Sequence, residues 1–239
     1  MRKLLSSFLA GLLSLPVYAS VPNAAPGVDP HYNALGFFDI HVCHWPSRPL
    51  FFMALFSTMH FKEVQKVEVR DPEGRLIGNL DLAKYSLVKV EGKPDKRVFI
   101  SHLDIPPNAP NGWYEARVTL NAGKTLFAKD YVHIEAMPLP QGFRPEEGSE
   151  LSEIPTVLSW DPVPGARFYR VFIKDLWTAK TIYQSKLLGE SRLILPLHLL
   201  QRGEYYSWRV HARDINEDPV LGDFNLGTLS QDVIFSIAK

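Results

Sequence analysis

The chain reads W-Y-E-A-R-V-T-L from Trp113 to Leu120, and there Tyr114, Ala116, Val118 and Leu120 alternate with Glu115, Arg117 and Thr119. Successive side chains of an extended backbone point to opposite faces, so a period of two describes a strand with one buried face. A helix would repeat its apolar residues every three or four positions instead. Asn121-Ala122-Gly123-Lys124 separates this run from the next, Thr125 to Glu135, and the pair reads as two adjacent strands.

Working outward toward the N-terminus, strand-like runs occupy Phe37 to His44, Leu50 to Ser57, Val64 to Arg70, Leu76 to Leu80, Tyr85 to Val90 and Arg97 to His102. Between the third and fourth lies Asp71-Pro72-Glu73-Gly74, where proline presets φ and glycine accepts a positive one. Glu91-Gly92-Lys93-Pro94-Asp95-Lys96 reads as a hairpin loop. About eight strands at short spacing, with no helical period between them, predict a sandwich rather than a parallel sheet. The 19 prolines and 15 glycines, spread between short apolar runs, agree with many turns and few helices.

Pro138-Leu139-Pro140-Gln141-Gly142 interrupts the pattern and predicts a semi-rigid joint between two domains. Beyond it, Leu158 and Trp160 share a strand face, and Tyr169, Val171 and Ile173 share a face of the next strand. Those faces must meet something apolar. Trp160, Tyr169, Tyr206 and Trp208 are therefore expected in the core of this half, and Tyr114 in that of the first.

The run Pro155-Thr156-Val157-Leu158-Ser159-Trp160-Asp161-Pro162-Val163-Pro164-Gly165-Ala166, followed by Tyr169-Arg170-Val171-Phe172-Ile173, resembles the B and C strands of a fibronectin type III domain of the bacterial kind. Leu200, Gly203 and Tyr206, then Trp208, Val210 and Ala212, resemble that family's E–F corner and F strand. The resemblance covers about Pro138 to Lys239. It implies a sandwich in which the Tyr206 hydroxyl bonds a backbone group a few residues upstream. In the first half, Gly112, Tyr114, Ala116 and Val118 echo Gly203, Tyr206, Trp208 and Val210, but the Trp-Asp-Pro-Val segment has no counterpart. The expected organisation is all-β: a signal peptide at 1–19, a flexible leader at 20–33, an immunoglobulin-like β-sandwich at 34–137 and a fibronectin type III-like β-sandwich at 138–239.

At the N-terminus, Arg2 and Lys3 precede a mostly apolar stretch, Leu4 to Leu15, too short to span a bilayer, and Val17-Tyr18-Ala19 presents small residues to a signal peptidase. Cleavage after Ala19 predicts an exported protein, periplasmic or secreted, with no transmembrane segment in the mature chain. Ser20, not a cysteine, stands immediately after the cut, which disfavours a lipid anchor. Loss of Arg2 and Lys3 from 26 basic residues, against 26 acidic ones, leaves a net charge of about −2. With no run of Lys and Arg in the sequence, a nucleic-acid partner is not expected. The single cysteine excludes an internal disulfide, so apolar cores must hold the sandwiches.

That cysteine lies in Asp39-Ile40-His41-Val42-Cys43-His44-Trp45. On a strand, Phe38, Ile40 and Val42 take one face while Asp39, His41 and Cys43 line the other. Side chains two apart sit roughly 7 Å apart at their roots, so His41 and Cys43 could converge on a soft or borderline metal. A blue-copper centre needs a second histidine, an axial methionine and a ligand-bearing loop beyond the cysteine. His44 points the other way, and Met53, Met59 and His60 belong to other runs. The plainer reading is a partly covered thiol with ordinary surface histidines. No cofactor is expected. The sequence contains neither G-x-S-x-G nor H-E-x-x-H, nor a P-loop, and Glu146-Glu147 reads as charged surface rather than a glycosidase pair. The chain reads as non-enzymatic.

The expected function is that of a binding or interaction protein of the cell envelope or secreted space. Its partner would be a protein or polysaccharide held by sandwich loops or edge strands. Trp177, within Asp175 to Lys180 where a C–C′ connection falls, and Trp45, beside Pro46, are the candidate binding residues. An exposed indole stacks on sugar rings or anchors an interface; either residue could instead fold back on its own rim. The alternatives are a periplasmic metal-handling or redox accessory protein built on His41 and Cys43, and a structural spacer in a larger envelope assembly.

Overall fold

A computed structural model describes residues 29–89, 91–215 and 224–239. The expected signal peptide, the leader as far as residue 28, and Val90 at the end of one expected strand lie outside the described residues. Among those described, every regular element is a strand.

The first half contains β1 (Gly36–His44), β2 (Phe51–Thr58), β3 (Val64–Arg70), β4 (Leu76–Asn79), β5 (Tyr85–Val88), β6 (Lys96–Asp104), β7 (Gly112–Leu120) and β8 (Thr125–Val132). The order β1-β2-β6-β5 forms one layer and β4-β3-β7-β8 the other. In chain order this is A-B-E-D packed on C′-C-F-G, the immunoglobulin-like arrangement. Tyr114, Ala116 and Val118 of β7 are fully buried and join Phe38, Ile40, Phe52 and Phe56 of the facing sheet in one core. Asp130 of β8 fastens the layers together. One of its oxygens accepts the Ile40 N–H at 2.9 Å and the other lies 3.0 Å from His31 Nε2. His31 and Tyr32 also lay their rings near Phe37, at 5.6 and 5.0 Å. The end of the expected leader is therefore tied down, because Phe37 presents an apolar ring on the outer face of β1.

The second half contains β9 (Ser149–Leu151), β10 (Val157–Ser159), β11 (Phe168–Asp175), β12 (Lys180–Gln184), β13 (Arg192–Ile194), β14 (Tyr205–Arg213), β15 (Leu226–Leu229) and β16 (Val233–Ile237). β12, β11 and β14 lie side by side, with β15 and β16 both paired to β14, while β10 and β13 form a separate pair. Trp160, Tyr169, Tyr206 and Trp208 are all buried in the core between them. The Trp160 ring lies 5.2 Å from Tyr169 and 6.2 Å from Trp208. Each tyrosine hydroxyl finds a backbone partner: Tyr169 Oη accepts the Val163 N–H at 3.0 Å, and Tyr206 Oη accepts the Gln201 N–H at 2.9 Å. In the first half Tyr114 Oη donates to the Pro110 carbonyl at 3.0 Å, so each half has a tyrosine holding its own upstream loop.

The halves are joined by more than the Pro138–Gly142 joint. β1 pairs in parallel with β15, placing Val42 against Leu226, Cys43 against Gly227 and His44 against Thr228. A ten-stranded sheet thereby runs through both halves. Leu226 packs against both cores. The Val42 N–H donates to the Asn225 carbonyl at 2.8 Å, Thr228 Oγ1 donates to the His44 carbonyl at 3.1 Å, and His44 Nδ1 lies 2.8 Å from the Met137 carbonyl. Their relative angle is thus set by a strand ladder, which proline spacing alone does not reveal.

Candidate functional site

The end of the second half remote from β1 is organised by the β11–β12 turn. Asp175 Oδ1 accepts the Thr178 N–H at 2.8 Å and the Thr178 hydroxyl at 3.1 Å. Those bonds, the Thr178 N–H foremost, hold the Asp175 carboxyl below its ordinary range. Ala179 completes the turn at φ 57°, and the Leu176 N–H donates to the Tyr205 carbonyl at 3.0 Å, extending the ladder past the strand end. The turn holds Trp177 outward, and the indole is 72% exposed.

Its nearest ring is that of Tyr205, 6.2 Å away and nearly perpendicular at 82°. Tyr205 is itself half exposed, because Tyr206 takes the core position of the doublet. Trp177 stands between two clefts. One, of about 830 Å³, is lined by Glu150, Gly203, Tyr205, Ser236 and Lys239 among others. The second, of about 440 Å³, is lined by Asp175, Ile182, Gln201 and Glu204. An indole and a phenol at right angles, rimmed by carboxylates, a hydroxyl, an amide and a lysine, can stack a planar or ring-shaped ligand and hydrogen-bond its edges. Sequence alone singles out Trp177 but not Tyr205. The signal for Tyr205 is the Tyr205-Tyr206 doublet itself, since adjacent strand residues cannot both face inward.

Trp45 lies elsewhere. It follows His44, which pairs with Thr228, and its ring packs edge-on against Phe51 and His102, both at 5.0 Å. The Arg48 guanidinium covers Phe51 at 3.5 Å. Burial, and then the Arg48 charge, lower the His102 pKa from its ordinary value. Trp45 is half-buried on the rim of its own half and does not share a site with Trp177.

His41 and Cys43 occupy the outer face of β1, as the alternation predicts, but that face is closed. His41 Nε2 lies 2.6 Å from Asp39 Oδ2, with both side chains 1% exposed. The Phe224 ring lies tilted 3.7 Å from the His41 ring, and Cys43 is packed with Phe51, Phe224 and Ile215. The expectation of surface histidines is therefore corrected for His41: Phe224, distant in sequence, covers it, a contact no local pattern encodes. Burial, opposed in part by Arg48, pushes the Cys43 thiol up to about 12. Among the described residues no group of three or more His, Cys, Asp or Glu is placed to hold a metal ion.

Comparison with known proteins leaves these residues to be read on their own. No family model matches the chain, and no curated protein matches it. Among solved structures, DIP-gamma IG1+IG2 is 12% identical over 85% of this chain and 98% of its own, with a TM-score of 0.23. SGBP-B of the Bacteroides ovatus mixed-linkage glucan utilization locus, solved with a mixed-linkage heptasaccharide, is 10% identical over 82% of this chain and 42% of its own, with a TM-score of 0.23. Trypsin-activated alpha-2-macroglobulin from Escherichia coli is 11% identical over 88% of this chain and 16% of its own, with a TM-score of 0.29. This chain spans less than half the length of the latter two. Such distant likenesses transfer no site.

Proposed function

We propose that this chain is an exported, non-enzymatic binding protein of the cell envelope or secreted space, which holds a protein or polysaccharide at the Trp177–Tyr205 end of its second half. In this reading residues 138–239 form a fibronectin type III-like domain, residues 34–137 an immunoglobulin-like one, and residues 1–19 direct export. The observation that carries it is the 72% exposure of Trp177 between two clefts, held there by an ordered turn. A large indole kept in water offers nothing to folding, whereas it is among the strongest anchors for a ligand or interface.

The deciding experiment compares the immobilised protein with its Trp177→Ala variant in capture from the native envelope, with protein and glycan both identified. The variant should keep its stability within about 1 kcal/mol and lose whatever the parent retains. Unchanged capture by the variant would remove the site. Loss of folding would assign Trp177 a role in supporting the turn against Tyr205 instead of in holding a partner.

A second reading, a spacer in a larger assembly, draws on the β1–β15 ladder, which couples the halves into one continuous sheet. It expects Trp177→Ala to have no effect on capture.

A further inference from the structure

The strand register gathers positive charge that is dispersed in the sequence. On the antiparallel pair β11 and β14, Arg170 stands opposite His211, Phe172 opposite Arg209 and Lys174 opposite Ser207. Directly opposed residues share a sheet face, and the intervening Tyr169, Val171 and Ile173 are the buried ones. Arg170, Lys174 and Arg209 therefore project from the outer face, with Phe172 between them. Arg170 and Lys174 are four positions apart, about 13 Å along the strand.

Among the described residues these cations lack paired counter-charges. None of the three forms an ion pair with a carboxylate among the described residues. The Arg170 Nε is shielded from solvent and has no hydrogen-bond partner there. Arg209 lies over the Phe172 ring at 5.6 Å. The nearby carboxylates stand at the turn end of the face and not on the cation row: Glu150, across β16 from Tyr205, lines one cleft at Trp177 together with Lys239, and Asp175 and Glu204 line the other. Burial first, then Arg213 and His41, and after them Arg170 and Arg209, hold His211 well below the usual imidazole range.

We infer that this face binds an acidic polysaccharide, with sugar carboxylates on Arg170, Lys174 and Arg209 and sugar rings against the exposed Tyr205 and Trp177. The inference rests on the binding role proposed for the Trp177–Tyr205 end and adds the ligand's chemistry to it. Charge complementarity requires an anion, and the row of cations requires a repeating one. A peptide strand would add at a sheet edge through its main chain, whereas these charges stand on the face of two interior strands. A membrane surface would call for apolar side chains projecting beyond the cations, but Phe172 is half-buried beneath Arg209. Rings interleaved with guanidinium groups suit a chain carrying both carboxylates and flat sugar faces.

The test uses the whole purified protein against polygalacturonate, uncharged dextran, polyglutamate, phosphatidylglycerol vesicles and duplex DNA. Polygalacturonate should bind best, and raising NaCl from about 50 mM to about 500 mM should weaken that binding at least about tenfold. The combined Arg170→Gln, Lys174→Gln and Arg209→Gln variant, with its thermal midpoint checked, should weaken it to a similar extent. If that variant does not fold, the exposed Arg209→Gln alone must weaken binding at least about threefold. No binding of polygalacturonate, equal binding by the variants, or tighter binding to any other probe overturns the inference. Envelope capture that is lost in Trp177→Ala but untouched by the charge variants would overturn it while leaving the binding site at Trp177 in place.

Discussion

Cys43 of β1 lies opposite Gly227 of β15 in the parallel ladder that joins the two halves. A Cβ added to Gly227 would collide with the Phe224 ring and come within 2.8 Å of His211 Nε2. The missing side chain leaves the space over the sheet face that the Phe224 ring and His211 fill. Gly227→Val should therefore cost about 2 kcal/mol and loosen the halves from each other. Urea unfolding reads the first effect, and limited proteolysis of the Pro138–Gly142 joint reads the second. An unchanged midpoint with an unchanged cleavage rate would mean that the ladder does not couple them.

Cys43 itself should be chemically silent. Its thiol is fully buried and pushed up to about 12 from 9.0, which lowers the thiolate fraction near pH 8 by about a thousandfold. Because the folded value is raised, the neutral thiol's stabilising contribution is complete below pH 9 and is lost as pH rises toward 12. Iodoacetamide labelling should be at least about 100-fold slower in the native protein than in denaturant. Zinc or copper should leave the native rate unchanged. Stoichiometric metal binding that involves His41 and Cys43 would instead favour the metal-handling reading.

These contacts mark where sequence pattern stops carrying information. Alternation reports which residues turn toward a single core, and it defines β3 at both ends and the inward row of β7. It is blind to a second cover. The row Asp39, His41 and Cys43 has the period of a solvent face, yet Phe224 and Ile215, far along the chain, close over it. The parallel β1–β15 pairing is non-local and leaves no turn residue to announce it. Trp177 is legible because it falls in a connection between strands and not on an inward row. The cation row is not, since Arg170, Lys174 and Arg209 meet through strand register alone.

The two corner tyrosines should differ in cost when their hydroxyls are removed. Tyr114 Oη donates to the Pro110 carbonyl, whereas Tyr206 Oη accepts from the Gln201 N–H. A carbonyl has a second lone pair and tolerates the loss of one donor better than an N–H tolerates the loss of its acceptor. Tyr114→Phe should cost about 1 kcal/mol and Tyr206→Phe about 2 kcal/mol. Urea midpoints of the two variants, measured at neutral pH, decide the order. The reverse ranking would mean that water replaces the lost acceptor at Gln201.

The turn after β3 supplies a pH-dependent element. The Asp71 carboxylate is fully buried, with Arg75 Nε at 2.6 Å and the backbone N–H groups of Glu73 and Arg75 donating to Oδ1 at 3.0 and 2.9 Å. Burial alone would raise its pKa, but the Arg75 hydrogen bond and the two backbone donors outweigh it and hold the carboxyl below the ordinary value of 3.8. A depressed carboxyl stabilises the fold above its unfolded value, and that contribution is lost as pH falls through the folded one. Asp71→Asn keeps an oxygen for the backbone donors but loses the charge facing Arg75. It should cost about 1–2 kcal/mol at pH 7, and the gap to the parent should narrow as pH falls from about 4 toward 2. Urea unfolding across that range measures both quantities. A gap that stays constant in acid would trace the loss to the geometry of the turn, and the Asp71–Arg75 charge pair would then have no part in the protein's acid sensitivity.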